Sequence, residues 1–301
     1  SPQVYRGRFA PSPTGDLHFG SLVAALASSL QANLNSGSFL LRIDEIDPPR
    51  EVAGATDAII DNLQAHAFEF NEPVLYLSQH TSRYEQALER LAAADKVYGC
   101  DCTRKQLAQA VPGRGSCPGN CQSRALSLEH HSVRFRASGV EIFDDVVMGR
   151  MSQDIAAEVG DFVLRRRDGL YSYQLASVVD DGEEEITEIV RGADLFDNTP
   201  RQIALFRALG YTIPTFMHIP VAVNASHQKL SKQAKASLMQ PDKALDNLCA
   251  AWSFLGQLSA TEQDSMEACQ TVAAFWALAK QTWNPARIPA SASQIVDAEF
   301  F

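Results

Sequence analysis

The 301-residue sequence predicts an α/β fold built on a parallel sheet, with a cysteine-bearing insertion and a small helical domain at the carboxyl end. Apolar runs typical of buried parallel strands, such as residues 39–43, alternate with helical patterns. A loop rich in proline and glycine joins the first predicted strand to a helix, an arrangement that binds phosphates. Residues 241–301 have the apolar spacing of helices.

The first motif joins a β-prone segment, residues 4–10, to a helix that begins near Ser21. Two prolines and a glycine exclude regular structure between them. Such a turn presents backbone N–H groups and the positive end of a helix dipole to a phosphate, although it lacks the P-loop lysine and the dinucleotide glycine spacing. His18 stands at the helix entrance, and Gly20 leaves room for a ligand. A lone histidine beside leucine and phenylalanine is more often structural than catalytic, so further evidence is needed.

A second motif, Lys229-Leu-Ser-Lys-Gln233, supplies that evidence. Together the two motifs resemble the nucleotide signatures of class I aminoacyl-tRNA synthetases, and Pro-Ser-Pro-Thr-Gly-x-Leu-His is closest to the glutamyl branch. The resemblance implies a Rossmann-like parallel sheet. Lysines on a loop can meet the charge that builds on departing pyrophosphate, whereas in isolation they would indicate only a basic surface loop. The implied ATP-binding residues are His18, Gly20, Lys229 and Lys232, and the implied catalytic residues are His18, Lys229 and Lys232.

Two further motifs resemble the amino-acid pocket of glutamyl and glutaminyl synthetases. Tyr-Gln-Leu-Ala begins at Tyr173, and Val-Arg-Gly contains Arg191. The resemblance implies that Arg8 meets the side-chain carboxylate of glutamate and that Tyr173 and Arg191 complete the pocket, since a guanidinium fork suits a carboxylate. Ser177 stands where glutamyl synthetases often carry asparagine. The implied glutamate-binding residues are Arg8, Phe9, Ala10, Pro11, Ser12, Asp44, Tyr173 and Arg191.

An acidic segment follows the predicted strand at residues 39–43. Asp44, Glu45 and Asp47 lie at its carboxyl end, where open α/β sheets bind ligands, and are placed to meet an ammonium group. A solvated acidic turn is the alternative. The related synthetases usually carry Arg-x-Glu-Asp here, whereas this chain has Arg42-Ile-Asp-Glu45. The resemblance assigns the amino group of glutamate to Asp44 and leaves Glu45 as the alternative.

Four of the six cysteines form two pairs, Cys100 with Cys102 and Cys117 with Cys121, separated by glycine- and proline-rich turns. Four thiolates complete a tetrahedral zinc shell with no open position, which predicts one structural zinc ion. Four unligated thiols are the alternative. Glutamyl-Q synthetases, short relatives of glutamyl-tRNA synthetase, carry zinc in an insertion between the halves of their fold, and this resemblance favours the metal site.

Charge and hydropathy narrow the classes of partner. The formal net charge of -10 argues against indiscriminate nucleic-acid binding but leaves room for a local basic face. Arg165, Arg166 and Arg167 at a predicted strand end fit either a phosphate-backbone contact or a solvated strand end. No apolar run approaches the ~20 residues of a membrane span, and no secretion signal is recognised. A cytoplasmic protein without a membrane partner is therefore expected.

Four segments are predicted along the chain. Residues 1–95 form the first half of a nucleotide-binding catalytic domain, residues 96–160 an inserted zinc-containing subdomain, and residues 161–225 the second half of the catalytic domain. Residues 226–301 hold the lysine-motif loop and a C-terminal helical domain. The predicted core of that domain comprises Trp252, Phe254, Leu255, Phe275, Trp276 and Leu278.

The combination of motifs resembles the glutamyl-Q tRNA(Asp) synthetase family. A full glutamyl-tRNA synthetase continues with a large anticodon-binding module, and no such module fits after the lysine motif. The resemblance implies ATP- and Mg²⁺-dependent activation of L-glutamate and transfer of the glutamyl group to queuosine in the anticodon of tRNA(Asp).

Three alternatives remain for the function. A truncated glutamyl-tRNA synthetase would charge a tRNA 3′ end instead. A different class I nucleotidyl transferase would share only the histidine motif, and the pocket of Arg8, Tyr173 and Arg191 argues against it. An inactive zinc-containing RNA-binding paralogue would not need the histidine and lysines of the two nucleotide motifs.

Overall fold

The computed structural model describes residues 3–15, 17–110, 117–230, 239–258 and 268–296. The strands predicted over residues 4–10 and 39–43 and the helix predicted to begin near Ser21 are all present. The described strands are β1 (Arg6–Phe9), β2 (Ser38–Ile43), β3 (Leu75–Tyr76), β4 (Val97–Cys100), β5 (Ser132–Phe135), β6 (Val140–Asp145), β7 (Gly149–Asp154), β8 (Phe162–Arg165), β9 (Glu188–Gly192), β10 (Thr215–Ile219), β11 (Val221–Val223) and β12 (Ser293–Ile295).

Helices alternate with these strands. The described α-helices are α1 (Phe19–Leu34), α2 (Ala55–Ala65), α3 (Thr81–Ala93), α4 (Arg104–Ala108), α5 (Ile155–Glu158), α6 (Tyr173–Glu183), α7 (Thr199–Leu209), α8 (Ala244–Phe254) and α9 (Val272–Thr282). Short 3-10 helices cover Pro48–Arg50, Leu77–Gln79, Cys121–Ser123, Ala193–Asn198, Pro241–Lys243 and Pro285–Arg287. Among the described helices, none combines the length and the apolar character needed to cross a membrane.

Parallel strand pairs form the centre of the fold, as the apolar runs predict. Strands β1, β2 and β3 pair in parallel in that order, and β9 pairs in parallel with β10. The start of β1 lies beside the start of β9, because the Thr187 backbone N–H donates to the Arg6 carbonyl at 2.9 Å. The carboxyl ends of both groups of strands therefore converge on one edge, where ligands bind in α/β sheets.

The inserted region is antiparallel. Strands β4, β5 and β8 form one sheet, and β6 and β7 form a hairpin. Strand β8 lies beyond the predicted boundary at residue 160, yet it pairs with β5 of the insertion. The hairpin is attached to β10 of the parallel core, where the Val146 backbone N–H donates to the Phe216 carbonyl at 2.9 Å.

The C-terminal helices pack on α1, the first helix of the parallel core. Phe19 of α1 meets Phe254 of α8 edge to face, with ring centroids 5.6 Å apart. Gln31 of α1 accepts a hydrogen bond from Trp283 at 2.8 Å and donates one to Glu188 of β9 at 2.8 Å. The aromatic core predicted for this region therefore belongs to one apolar cluster shared with α1, β1 and β2. This continuity holds α1, and the turn that precedes it, against the C-terminal helices.

Two local predictions were wrong. The apolar run at residues 218–223 is typical of a single strand, but it is divided at Pro220 into the end of β10 and the whole of β11, because proline has no N–H to continue the ladder. The C-terminal region, predicted as helical throughout, contains β12, which pairs in parallel with β11. Strand β12 has only three residues, which are too few to show the alternation of apolar and polar residues that predicts a strand. The sequence Ser-Ala-Thr-Glu at residues 259–262, which is typical of a helix capping box, lies outside the described residues.

Candidate active site

His18 and Lys229, which are 211 positions apart in the sequence numbering, face one cavity of about 250 Å³. The cavity opens at the carboxyl ends of β1 and β9 and at the start of α1. Gly20 also lines it, and a Cβ atom there would lie 3.3 Å from the His18 ring. Both nucleotide motifs thus meet in a single cleft, although Lys232 lies outside the described residues. The lining residues are Phe9, Ala10, Pro11, His18, Gly20, Ser21, Ala24, Gly192, Asp194, Ile219, Pro220, Val221, Ala222, Lys229 and Leu230.

The charges in this cleft are partly neutralised by one another. His18 caps α1 by accepting the Ser21 backbone N–H at 3.3 Å. Burial lowers the pKa of His18, Asp194 opposes that shift, and Lys229 adds to it, so the imidazole is neutral at neutral pH. Lys229 donates to Asp194 at 2.8 Å. Within the part of the chain that the structure describes, the cleft therefore presents a neutral histidine and one paired ammonium group.

The side chain of Arg8, which belongs to β1, is part of a buried group of charged residues. Its Nε and Nη2 atoms each donate to the Asp181 carboxylate at 3.0 Å. Arg42 of β2 donates to the same carboxylate at 2.8 Å and to Asp44 at 2.7 Å. Burial alone would raise the pKa of Asp181, but Arg8 and Arg42 outweigh it and lower the value to about 2. Arg8 is thus fully charged and has a carboxylate partner within the protein.

Helix α6 supplies acidic residues that sequence reasoning missed. Asp180, Asp181 and Glu184 recur at helical spacing on one buried face. Burial raises the pKa of Asp180 to about 6 and also raises that of Glu184. A stripe of carboxylates in an apolar helix was the available signal, because buried charges require partners. The sequence could not indicate that Arg42, from a distant strand, is one of them.

His80, Asp180 and Glu184 also place possible metal-ligating atoms within 4.8 Å of one another. Their acceptor positions are occupied, since Asp180 accepts hydrogen bonds from His80 at 3.0 Å and Tyr84 at 2.5 Å. Arg42 donates to Glu184 at 2.7 Å. This group is an ion-pair network whose charges are already compensated by arginines.

Arg191 of β9 is buried like Arg8, but its contacts differ. Its Nε donates to His218 at 3.1 Å, Nη2 to Thr199 at 2.8 Å and Nη1 to the Tyr173 hydroxyl at 3.5 Å. Among the described residues, no carboxylate lies within ion-pair distance of Arg191. Burial lowers its pKa, and nearby Arg8 adds to the effect. A buried guanidinium without a carboxylate favours binding of an anion.

The remaining predicted pocket residues occupy different positions. Phe9, Ala10 and Pro11 line the nucleotide cleft, whereas Ser12 is exposed. The Asp44 carboxylate is buried and bound to Arg42, and burial raises its pKa despite that partner.

Glu45, the alternative partner for an amino group, is half-buried, and its carboxylate accepts the Ser78 backbone N–H at 3.2 Å.

Arg8, Tyr173 and Arg191 lie close enough together for their charges to interact. Arg191 donates to the Tyr173 hydroxyl at 3.5 Å, and the positive charge of Arg8 helps to lower the pKa of Arg191.

The four predicted zinc ligands converge. The Sγ atoms of Cys100, Cys102, Cys117 and Cys121 all lie within 4.8 Å of one another, and Cys102 and Cys121 are 3.7 Å apart. None of the four forms a disulfide. Sulfurs bound at about 2.3 Å to a tetrahedral ion lie about 3.8 Å apart, so the donor set fits zinc. A Cβ at Gly119 would lie 2.8 Å from the Cys102 sulfur, which explains the glycine at this turn.

The architecture and the cleft define the class of protein. Residues 4–275 match the family described as tRNA synthetases class I (E and Q), catalytic domain. A glutamate tRNA ligase from Elizabethkingia meningosepticum, solved with its amino acid, superposes with a TM-score of 0.81 over 99% of this chain and 68% of its own. At 22% identity that likeness shows the shared fold.

Closer relatives specify the family. The chain is 46% identical over 292 residues to the glutamyl-Q tRNA(Asp) synthetase of Dechloromonas aromatica, covering 95% of this chain and 96% of the relative. It is 42% identical over 306 residues to the protein of the same name from Chromobacterium violaceum, covering 98% and 99%. The chain belongs to the glutamyl-Q tRNA(Asp) synthetase family.

Proposed function

We propose that this chain activates L-glutamate with ATP and transfers the glutamyl group to queuosine in the anticodon of tRNA(Asp). The names of its relatives identify the reaction class. The observation that carries the proposal for this chain is Arg191, a buried guanidinium with three neutral partners and no carboxylate among the described residues. The side-chain carboxylate of glutamate supplies the missing anion, and glutamine does not.

Activation is a displacement at phosphorus. The α-carboxylate of glutamate attacks the α-phosphorus of ATP, a new P–O bond forms, and the bond to pyrophosphate breaks. The negative charge of the leaving group grows during this step, and Lys229, Lys232 and His18 are proposed to stabilise it. Lys229 must exchange Asp194 for a phosphate as ATP enters the cleft. Mg²⁺ entering with ATP would shield the same charge.

The substrate amino group requires an acidic partner. Asp44 and Glu45 both follow β2, but the Asp44 carboxylate is already bound by Arg42 at 2.7 Å. Asp44→Asn and Glu45→Gln therefore distinguish the two candidates. The variant that raises KM for glutamate without changing KM for ATP identifies the partner.

Zinc is proposed as a structural ion held by Cys100, Cys102, Cys117 and Cys121. It would supply no chemistry to the reaction, because four thiolates leave no open coordination position. Its role would be to fix the turns that follow β4, at the end of the inserted sheet.

Two assays test the proposed function. ATP–pyrophosphate exchange with glutamate, and with glutamine as the comparison, measures activation in the absence of tRNA. Transfer of labelled glutamate to tRNA(Asp) is then measured with and without queuosine, and the label is located on an anticodon-loop fragment or on the terminal adenosine. We expect queuosine-dependent label in the anticodon loop. Label on the terminal adenosine would instead identify a truncated glutamyl-tRNA synthetase.

A further inference from the structure

A buried chain of hydrogen bonds connects the inserted hairpin to the amino-acid pocket. Asp145, the last residue of β6, lies 2.5 Å from Nδ1 of His218 in β10. Nε2 of His218 accepts the Nε–H of Arg191 at 3.1 Å. The side chains of Asp145 and His218 are completely shielded from solvent. We propose that Asp145 and His218 are positioning residues that hold Arg191 in the orientation that binds the substrate carboxylate.

The hydrogen-bond pattern determines which nitrogen of His218 carries the proton. Arg191 can only donate, so Nε2 must accept and the proton must reside on Nδ1. Asp145 is the acceptor for that Nδ1–H. In the opposite tautomer Nε2–H can donate to the Thr199 hydroxyl, whose oxygen lies 3.1 Å from Nε2, but Nε2 then no longer accepts the Nε–H of Arg191 and that hydrogen bond is lost. The carboxylate thus fixes the tautomer on which the orientation of Arg191 depends.

Asp145 is itself held rigidly. Its Oδ1 accepts the backbone N–H groups of Val147 and Met148 at 3.0 and 2.9 Å. Its Oδ2 accepts the backbone N–H of His218 at 3.1 Å in addition to the ring contact. These bonds saturate the carboxylate with donors and fix its position relative to β10.

The His218 ring also has fixed neighbours. It packs against Phe196 with centroids 5.1 Å apart and lies nearly parallel to Phe216 at 6.1 Å. Packing alone would therefore be preserved by phenylalanine at position 218, whereas the acceptor for Arg191 would be lost. This difference separates a positioning role from a purely structural one.

The inference rests on the proposed function, because it assigns Arg191 to glutamate. In Asp145→Asn, the amide oxygen can retain the two hairpin N–H groups while the amide nitrogen donates to Nδ1 of His218. The ring proton is then forced onto Nε2, toward Arg191. We expect KM for glutamate in pyrophosphate exchange to rise about 10- to 100-fold, the usual effect of losing a hydrogen bond to a buried charge. KM for ATP should remain within about twofold of the wild type.

The matched control is Asp144→Asn, one residue earlier in the same strand. Asp144 is exposed and pairs with Arg150 across the hairpin. We expect wild-type kinetics from it. His218→Phe should reproduce the rise in KM for glutamate, and His218→Gln, which keeps an acceptor, should recover part of the affinity. Thermal unfolding of each variant separates these effects from a loss of folded protein.

A spectroscopic measurement tests the geometry without activity. Nitrogen-15 NMR of the histidine rings, with His218 assigned by its absence in His218→Gln, should show Nδ1–H in the wild type and Nε2–H in Asp145→Asn. An Nε2–H tautomer in the wild type, or an unchanged KM for glutamate in Asp145→Asn, would overturn the inference. A wild-type protein without glutamate-dependent exchange contradicts the proposed function instead, and the tautomer then tests the positioning geometry by itself.

Discussion

Arg8 and Arg191 are both buried at the proposed amino-acid pocket, but among the described residues only Arg8 is paired with a carboxylate. Arg8 binds both oxygens of Asp181, whereas Arg191 contacts His218, Thr199 and a tyrosine hydroxyl. The positive charge of Arg8 is already neutralised by Asp181, whereas Arg191 has no anionic partner among the described residues. We therefore propose that Arg8 helps to shape the pocket and that Arg191 binds the substrate carboxylate directly.

Replacing the two arginines with methionine should separate these roles. We expect Arg191→Met to lower kcat/KM for glutamate by about 100- to 1000-fold, because a desolvated charge pair with the substrate is lost. Its thermal midpoint should stay at or above that of the wild type, because an unpaired buried cation has been removed. Arg8→Met should lose both activity and stability, since it leaves Asp181 with one cation fewer. Pyrophosphate exchange and calorimetry measure both quantities, and equal destabilisation of the two variants would contradict the distinction.

Asp181 should be essential to the stability of the fold. It accepts hydrogen bonds from Arg8 and Arg42, and its side chain is 1% exposed. Asp181→Asn leaves both guanidinium groups short of a negative charge, and we expect a loss of about 3–5 kcal/mol in the free energy of unfolding, measured in urea. Asp144→Asn, which removes an exposed ion pair, is the control and should unfold like the wild type. A similar midpoint for the two variants would show that the buried network is not needed for stability.

The parallel core could be predicted from the sequence because it depends on local signals, whereas the meeting of the two nucleotide motifs was predicted only through their resemblance to class I synthetases. Apolar runs mark buried strands, and the proline-rich turn before α1 marks a helix N-terminus. The four cysteines were also predictable, since thiol pairs separated by turns have few structural uses other than metal binding. Their convergence within 4.8 Å agrees with that expectation.

The partners of the pocket residues could not be predicted because they come from distant segments. Nothing near Arg8 in the sequence indicates Asp181, and nothing near Arg191 indicates Asp145, which reaches it through His218. Sequence periodicity identifies which residues share a face of one element, but it does not identify which elements pack together. The strand β12 was missed for a different reason, since it owes its existence to pairing with β11.

The cysteine cluster should contain about one zinc ion per chain. We expect elemental analysis to find it in the wild type and not in Cys117→Ser, because one of four ligands is lost. Removal of zinc with a chelator should lower the thermal midpoint, since the free energy of metal binding contributes to folding. Cys249→Ser is the control, because Cys249 lies outside the cluster and should not affect metal content. A metal-free wild-type protein that remains equally stable and active would contradict the prediction of a zinc site.

His66 should make the stability of the protein depend on pH. Its ring joins the end of α2 to α8: Nδ1 lies 2.8 Å from the Asn62 carbonyl, and Nε2 lies 3.1 Å from the Asn247 amide. Burial lowers the pKa of His66, and the bond to the Asn62 carbonyl opposes this only in part. The unfolded chain, with an ordinary value of about 6.5, then binds more protons than the folded protein below that pH.

The free energy of unfolding should accordingly fall as the pH decreases through about 6.5 toward the lower pKa of the folded state. One such group contributes at most about 1.4 kcal/mol per pH unit. His18 and His218, whose pKa values are also lowered by burial, act in the same direction. Urea unfolding between pH 7.5 and 5.5 should therefore show a shallower slope in His66→Gln than in the wild type. His130→Gln, at an exposed position, should keep the wild-type slope, and identical slopes in all three proteins would exclude His66 as a source of the pH dependence.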